Sequence, residues 1–168
     1  MKTKVILTLG VVFALMIVTN VSAQTFIAGS DQDKLFTKAM AASGDERIKL
    51  LQDFEKQFPT DKNLADIFNL LSTEFNQKND RANVILYGEK AIKADANSFN
   101  ALITVSRSYG LAKQNLTVAN DYAQRAVNVL AKLKAESRYN DDAAWKAYID
   151  TSETSAKANL IWIKTLIK

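Results

Sequence analysis

The sequence predicts an all-α protein built from antiparallel helix pairs, and three observations lead there. After residue 23 the chain contains one proline, Pro59, and four glycines, too few for the many turns of an all-β protein. Alanine, leucine, lysine, glutamine and glutamate, which favour helix, dominate the segments between the breaks. The breaks recur at short intervals and leave segments of roughly 12–20 residues, a pattern typical of paired antiparallel helices with short connections.

The first 23 residues form a segment of a different kind. Lys2 and Lys4 precede an apolar run over residues 5–18, and small residues two apart follow, the second being Ala23. This order is typical of a secretory signal peptide. The run is shorter than the roughly 20 residues that a membrane-spanning helix needs. We therefore predict cleavage after Ala23 rather than a retained anchor, and export by a bacterial pathway to the periplasm or the medium. A short linker over residues 24–30 would then precede one helical domain over residues 31–168.

Composition limits the chemistry of the exported part. Without Lys2 and Lys4 it holds 20 Lys and Arg against 18 Asp and Glu, a balance that argues against a nucleic-acid partner. The chain has no histidine and no cysteine. It therefore lacks the imidazole base, the thiolate nucleophile and the usual zinc and copper ligands. We predict no cofactor, no metal and no enzyme activity, although a pair of carboxylates could still support catalysis.

Apolar spacing places the helices. Leu64, Phe68, Leu71 and Phe75 follow one another at i, i+4, i+7 and i+11, which is one face of a helix. Residues 31–42 and 45–58 are predicted to form a helix pair before Pro59. Five residues are suited to cap helix N-termini, namely Ser30, Thr60, Ser98, Thr117 and Asn140.

The C-terminal segment, residues 141–168, is predicted to be one long helix. It contains both tryptophans, Trp145 and Trp162, which we expect to pack that helix against the rest of the domain. The run from Thr151 to Ser155 is a poor helix interior and is predicted to kink or fray.

The sequence repeats itself with a period of 34 or 35 residues. A shift of 34 places Phe68 on Leu102, Leu71 on Val105, Ser72 on Ser106 and Phe75 on Tyr109. With one extra residue in the loop, a shift of 35 places Val84 on Ala119, Tyr87 on Tyr122, Lys90 on Arg125, Ala91 on Ala126 and Ile92 on Val127.

A helix-turn-helix unit of this length, with these large, small and aromatic positions, resembles the tetratricopeptide repeat (TPR) family. The resemblance covers roughly residues 31–168 and is strong only over 64–133. The helix-B tyrosine stands one place early, and Ala96 replaces the usual closing proline. The resemblance implies a right-handed α-solenoid of about three repeats, in which residues 141–168 supply the first helix of a last, incomplete repeat.

In TPR proteins the first helices of the repeats line a concave groove that binds other polypeptides. The groove positions left free by packing would be Asp66, Asn69, Thr73, Asn76, Asn100, Ile103 and Arg107. The resemblance therefore implies a non-catalytic adaptor of the cell envelope that holds a protein or peptide partner. These residues could equally be an ordinary solvated surface. The sequence would also suit a structural subunit that docks through its convex face or its last helix, and it leaves open a carboxylate-based enzyme.

Overall fold

The computed structural model describes residues 26–167, and within that range the chain is all-helical, with no strand. Its helices are α1 (Asp31–Ala41), α2 (Gly44–Gln57), α3 (Leu64–Gln77), α4 (Arg81–Ala94), α5 (Phe99–Ala112), α6 (Leu116–Leu133), α7 (Ser137–Asp141) and α8 (Ala143–Leu166). The prediction of an all-α fold is confirmed. The predicted signal peptide, residues 1–23, lies outside the described residues.

Side-chain capping starts three of the helices. The Ser30 hydroxyl accepts a hydrogen bond from the backbone N–H of Asp33 at 3.2 Å, as predicted. Asp80 starts α4 and Asp142 starts α8 by accepting from backbone N–H groups three residues further on. Each of these bonds satisfies an N–H group that has no partner inside its own helix.

Of the other predicted N-caps, Thr60, Thr117 and Asn140 are wrong, and Ser98 is confirmed in position only. Thr60 lies four residues before α3, because the Asp61 carboxylate accepts the backbone N–H of Asn63 at 2.8 Å and holds a turn there. Thr117 lies inside α6, and Asn140 lies inside α7. Ser98 occupies the position before α5, but its hydroxyl makes no capping bond.

The C-terminal segment differs from its prediction in two ways. The short helix α7 precedes α8, and the break between them falls at Asp142. α8 then runs without interruption through the Thr151–Ser155 segment, where we expected a kink or fraying. The hydroxyls of Thr151 and Thr154 donate to the carbonyls four residues earlier, at 2.8 and 3.0 Å, so they satisfy themselves on the helix backbone.

Each helix packs mainly on its neighbours in the chain. α1 packs on α2, and the contacts continue in order to α6, while α8 packs on both α5 and α6. The predicted apolar faces form the core, where Leu71, Leu102 and Val105 are fully buried. At the last interface Gly110 of α5 lies so close to α8 that a Cβ atom there would fall 2.7 Å from the Trp162 ring.

The two central helix pairs share one buried contact. The Ser72 hydroxyl of α3 donates to the carbonyl of Val84 in α4 at 3.0 Å. The Ser106 hydroxyl of α5 donates to the carbonyl of Ala119 in α6 at 2.7 Å. The donors are 34 residues apart and the acceptors 35, which are the shifts that relate the two halves of the sequence.

A second contact is also repeated. The Lys90 ammonium lies over the Tyr87 ring at 4.9 Å, and the Arg125 guanidinium lies over the Tyr122 ring at 5.4 Å. A shift of 35 residues again relates the two pairs. The internal similarity of the sequence thus reappears in local geometry.

Candidate functional site

Three of the predicted groove residues, Asp66, Asn69 and Asn100, line one cleft of about 430 Å³. We call it the first cleft. It lies where the starts of α3, α5 and α8 meet the ends of α4 and α6. Its other residues are Lys62, Ala65, Ala94, Asp95, Asn97, Ser98, Phe99, Val129, Leu133, Arg138, Trp145 and Tyr148.

Both asparagines of the first cleft are hydrogen-bonded within the fold. Asn69 Nδ2 donates to the Ser98 hydroxyl at 2.8 Å and ties α3 to the turn before α5. The Asn100 amide faces the Tyr148 hydroxyl, donating at 2.8 Å and accepting at 3.1 Å, and so ties α5 to α8. A partner at this surface would therefore meet amides that already hold helices together.

One wall of the first cleft is aromatic. Tyr148 lies 5.7 Å from Phe99 and 5.7 Å from Trp145, centroid to centroid, and the Arg138 guanidinium covers the Trp145 ring at 4.3 Å. Burial raises the pKa of the Tyr148 hydroxyl. The Trp145 Nε1 atom is buried and has no hydrogen-bond acceptor among the protein atoms. This wall offers a flat apolar surface, and its unused indole donor is buried rather than exposed to the cleft.

Three other predicted groove residues lie outside the first cleft, and also outside the second cleft described next. The Thr73 hydroxyl donates to the carbonyl of Asn69 in its own helix at 2.9 Å. Asn76 is exposed, and Ile103 is half-buried against the hydrophobic core. The structure thus separates the predicted set rather than gathering it into a single surface.

The last predicted residue, Arg107, lies in a second cleft of about 680 Å³ between α5 and α8. Leu111 is its neighbour on α5. The α8 side consists of Thr151, Thr154, Ser155, Ala158, Asn159 and Trp162. The volume lies within the range of small-ligand and peptide pockets. Arg107 is exposed, and it makes no hydrogen bond or ion pair with any residue in the range 26–167.

Asn159 is the buried polar residue of the second cleft, with 8% of its surface exposed. Its Nδ2 donates to the Ser106 hydroxyl at 2.9 Å. Because the Ser106 hydroxyl already donates its proton to the Ala119 carbonyl, it can only accept a hydrogen bond from Asn159. This assigns the Nδ2 atom of the Asn159 amide to the side that faces Ser106. The Asn159 Oδ1 atom is buried with no donor among the protein atoms. An unpaired buried polar group of this kind costs about 1–3 kcal/mol.

A network of charged groups holds the start of α8 against the end of α6. The Tyr139 hydroxyl donates to Asp150 at 2.7 Å, and Lys134 and Lys146 each lie 3.0 Å from the same carboxylate. These contacts, with the Tyr139 bond first, hold the pKa of Asp150 well below its usual range. Lys134 also pairs with Glu153 at 2.8 Å, which lowers the pKa of that carboxyl.

Another polar contact joins α4 to α5. The Tyr109 hydroxyl donates to the Glu89 carboxylate at 2.6 Å. Burial, together with this bond and the charge of Glu89, raises the pKa of Tyr109 to about 12.

Sequence reasoning missed the second cleft as a unit. Arg107 was the only member identified, since all the others except Leu111 lie on α8, about 50 residues away. The aligned positions of the internal repeat relate α3 to α5 but do not extend to residues of α8, so they could not show which α8 side chains lie beside Arg107. The polar Asn159 in an otherwise apolar stretch, Ala158 to Ile163, was the one available signal.

Within residues 26–167, no group of three or more acidic, histidine or cysteine side chains is arranged to hold a metal ion. None of the helices in this part of the chain is long and apolar enough to cross a membrane. The chain matches no protein-family model, no curated protein and no solved structure in the comparisons with known proteins.

Proposed function

We propose that this chain is an exported, TPR-like right-handed α-solenoid that binds a protein or peptide partner and performs no catalysis. The observation that carries the proposal is the repeated buried bond, Ser72 to Val84 and Ser106 to Ala119. A solenoid is built from similar units that repeat along the chain, and these two helix pairs make the same serine-to-carbonyl bond at shifts of 34 and 35 residues. α8, packed on α5 and α6, would be the first helix of a further repeat.

Partner binding is supported by where the clefts lie. The first cleft draws on α3, α5 and α8, and the second on α5 and α8. These three are the first helices of their repeats, and TPR proteins use those helices to line the binding groove. The first cleft offers an aromatic wall, and the second offers an unpaired cation.

The absence of histidine and cysteine from the sequence weighs against an enzyme. Two acids, Asp66 and Asp95, line the first cleft. The Asp95 carboxylate accepts the backbone N–H of Asn97 at 2.9 Å and so shapes the turn after α4. A structural duty of this kind favours the binding function over a carboxylate-based reaction.

The second candidate function is that of a structural subunit docking through α8. Ile161 is 67% exposed and Ile167 48% exposed, both on or beside the end of that helix. Large apolar side chains with this exposure suit a protein interface.

Photocrosslinking separates the two functions. A benzoylphenylalanine is placed at Ala65 in the first cleft, at the exposed Thr151 at one end of the second, at Ile161 on the outer side of α8, and at the exposed Ala82 of α4 as a control. We expect adducts to one envelope protein from Ala65 or Thr151 and none from Ala82. Adducts from Ile161 alone would favour the structural subunit, and no adduct from either cleft would refute groove binding.

Export is tested by the mass of the protein recovered from the periplasm or the medium. We expect an N-terminus at Gln24. A chain that keeps residues 1–23 and stays with the membrane would refute the cleaved signal.

A further inference from the structure

We propose that the second cleft binds an extended peptide segment carrying an acidic side chain next to a large apolar one. This proposal rests on the proposed function and states the chemistry of its partner. Three properties of the cleft lead to it, namely its charge, its apolar walls and its unused hydrogen-bond acceptors.

The charge of the cleft is positive. Arg107 is the one charged side chain among its lining residues, and no part of the described chain neutralises it. A guanidinium beside an apolar wall binds a carboxylate by charge-assisted hydrogen bonds. The occupant therefore carries an acid.

The walls are apolar. Leu111 of α5 is 51% exposed, although most large aliphatic side chains of the described chain are buried. Ala158 and Trp162 lie across from it on α8. The ring and the leucine together would cover a large aliphatic or aromatic side chain, and Ala158 leaves room for it.

Three of the hydrogen-bonding side chains of the cleft offer acceptors, while the Ser155 hydroxyl, which makes no hydrogen bond within the described residues, can donate or accept. The hydroxyls of Thr151 and Thr154 have given their protons to carbonyls of α8, so toward the cleft they can only accept. Asn159 presents a buried Oδ1 acceptor without a partner. A fatty acid supplies no donor for these atoms, whereas a peptide backbone supplies an N–H at every residue.

The length of the cleft also suits a peptide. From Thr151 to Trp162 it follows twelve residues of α8, and the eleven steps between them rise roughly 16 Å. An extended chain advances about 3.3 Å per residue, so about five residues would fill it.

The fluorescence of Trp162 tests the proposal. The chain has two tryptophans, and each cleft contains one of them, so a Trp145→Phe background leaves Trp162 as the reporter of the second cleft. The probes are capped, amidated pentapeptides without tryptophan or tyrosine. One pool has Asp or Glu followed by Leu, Ile or Phe, and a matched pool has Asn or Gln in the acidic position.

We expect a saturable change of Trp162 emission with the acidic pool. Arg107→Gln weakens that binding about tenfold, as loss of one charge-assisted contact does. The amide pool binds to the parent about tenfold more weakly than the acidic pool does. The two pools bind with equal affinity to the Arg107→Gln variant. Ala158→Phe fills the cleft and abolishes the change, whereas Ala147→Phe, an exposed alanine on the same face of α8 outside both clefts, leaves it intact.

Three results with the peptide pools would overturn the proposal. They are no saturable change with the acidic pool at millimolar concentration, equal binding of both pools, and unaltered binding in Ala158→Phe. Saturable binding of octanoate without any peptide binding would assign the cleft to a small acid and would also overturn it. Photocrosslinking adducts from the clefts would still be expected under each of these results. A failure of the acidic-peptide proposal is therefore distinguishable from a failure of groove binding itself.

Discussion

Replacing Ser106 by alanine tests how the buried polar contact between α5, α6 and α8 stabilises the fold. Ser106 donates to the Ala119 carbonyl and accepts from Asn159. Its counterpart Ser72 makes only the bond to the Val84 carbonyl. The two serines therefore form a matched pair within one molecule, and they differ by the contact with Asn159.

The magnitudes follow from the bonds that each change removes. Ser72→Ala loses one bond worth about 1 kcal/mol and recovers up to about 0.5 kcal/mol in helix propensity, so the net loss is about 0.5 kcal/mol. Ser106→Ala loses two bonds and leaves the Asn159 amide N–H buried without a partner. We expect it to lower the free energy of unfolding by about 2 kcal/mol. At this chain length that corresponds to a fall in Tm of about 4–8 °C.

Urea unfolding followed by circular dichroism at 222 nm measures both variants. A double-mutant cycle with Asn159→Leu isolates the coupling, because Ser106→Ala in that background should cost only about as much as Ser72→Ala. Equal losses for Ser72→Ala and Ser106→Ala in the parent chain would refute the reasoning, since the bond to Asn159 would then contribute no net stability.

Three further predictions concern other side-chain contacts between helices. Gly110→Ala would press a methyl group against Ile163 and Trp162. It should lower the stability measured by urea unfolding by an overpacking cost of about 1–3 kcal/mol, less about 1 kcal/mol of helix propensity, and shift the tryptophan emission. An unchanged midpoint and spectrum would contradict the close approach. Because Tyr109 has its pKa raised to about 12 in the folded state, its contribution to stability is complete below about pH 10 and lost between about pH 10 and 12. Tyr109→Phe should flatten that part of the urea midpoint against pH, and an identical alkaline profile would argue against the shift. Asp150 has a depressed pKa, so its contribution is present above about pH 4 and lost as pH falls. Removing its largest cause with Tyr139→Phe should raise that pKa, as read by carboxyl carbon NMR titration, and an unmoved titration would show that the hydroxyl bond is not made in solution.

The sequence was sufficient for the helices and their faces because those depend on local spacing. The stripe that includes Leu71 and the equivalent stripe that includes Leu102 are buried as predicted. Periodicity also identified the two related helix pairs, and the serine of each pair makes the same bond to its partner helix. The contacts inside a repeated unit join residues that are close in the sequence, so a single sequence is enough to predict them.

Contacts between distant segments could not be predicted in the same way. Asn69 and Asn100 were assigned to an open groove by helical projection, yet Ser98 and Tyr148 occupy their amides. Tyr148 lies 48 residues beyond Asn100 and has no place in the internal repeat. Helical projection shows which side chains leave a helix on a given face, but not which distant residue meets them there. Their role in binding a partner remains a prediction.

The wrong predictions of helix N-caps have a related cause. Thr60 and Asp61 both suit a helix start, and the choice between them depends on how the chain leaves Pro59. The aspartate carboxylate takes the backbone N–H of Asn63, and α3 begins at Leu64. Competition between adjacent polar residues is decided by the direction of the backbone, which composition does not reveal.

The neighbour-on-neighbour order of the helices has a consequence for how the molecule comes apart. α1 and α2 reach the rest mainly through α3, and α8 reaches it through α5 and α6. Helices far apart in the chain share few contacts, so the opening of the molecule should be graded. Amide hydrogens in α3 to α6 should exchange slowest and those in α1 fastest, as the terminal pair frays while the central pairs remain closed. A cleft built on the last interface would then be the part of the surface that a bound partner slows most.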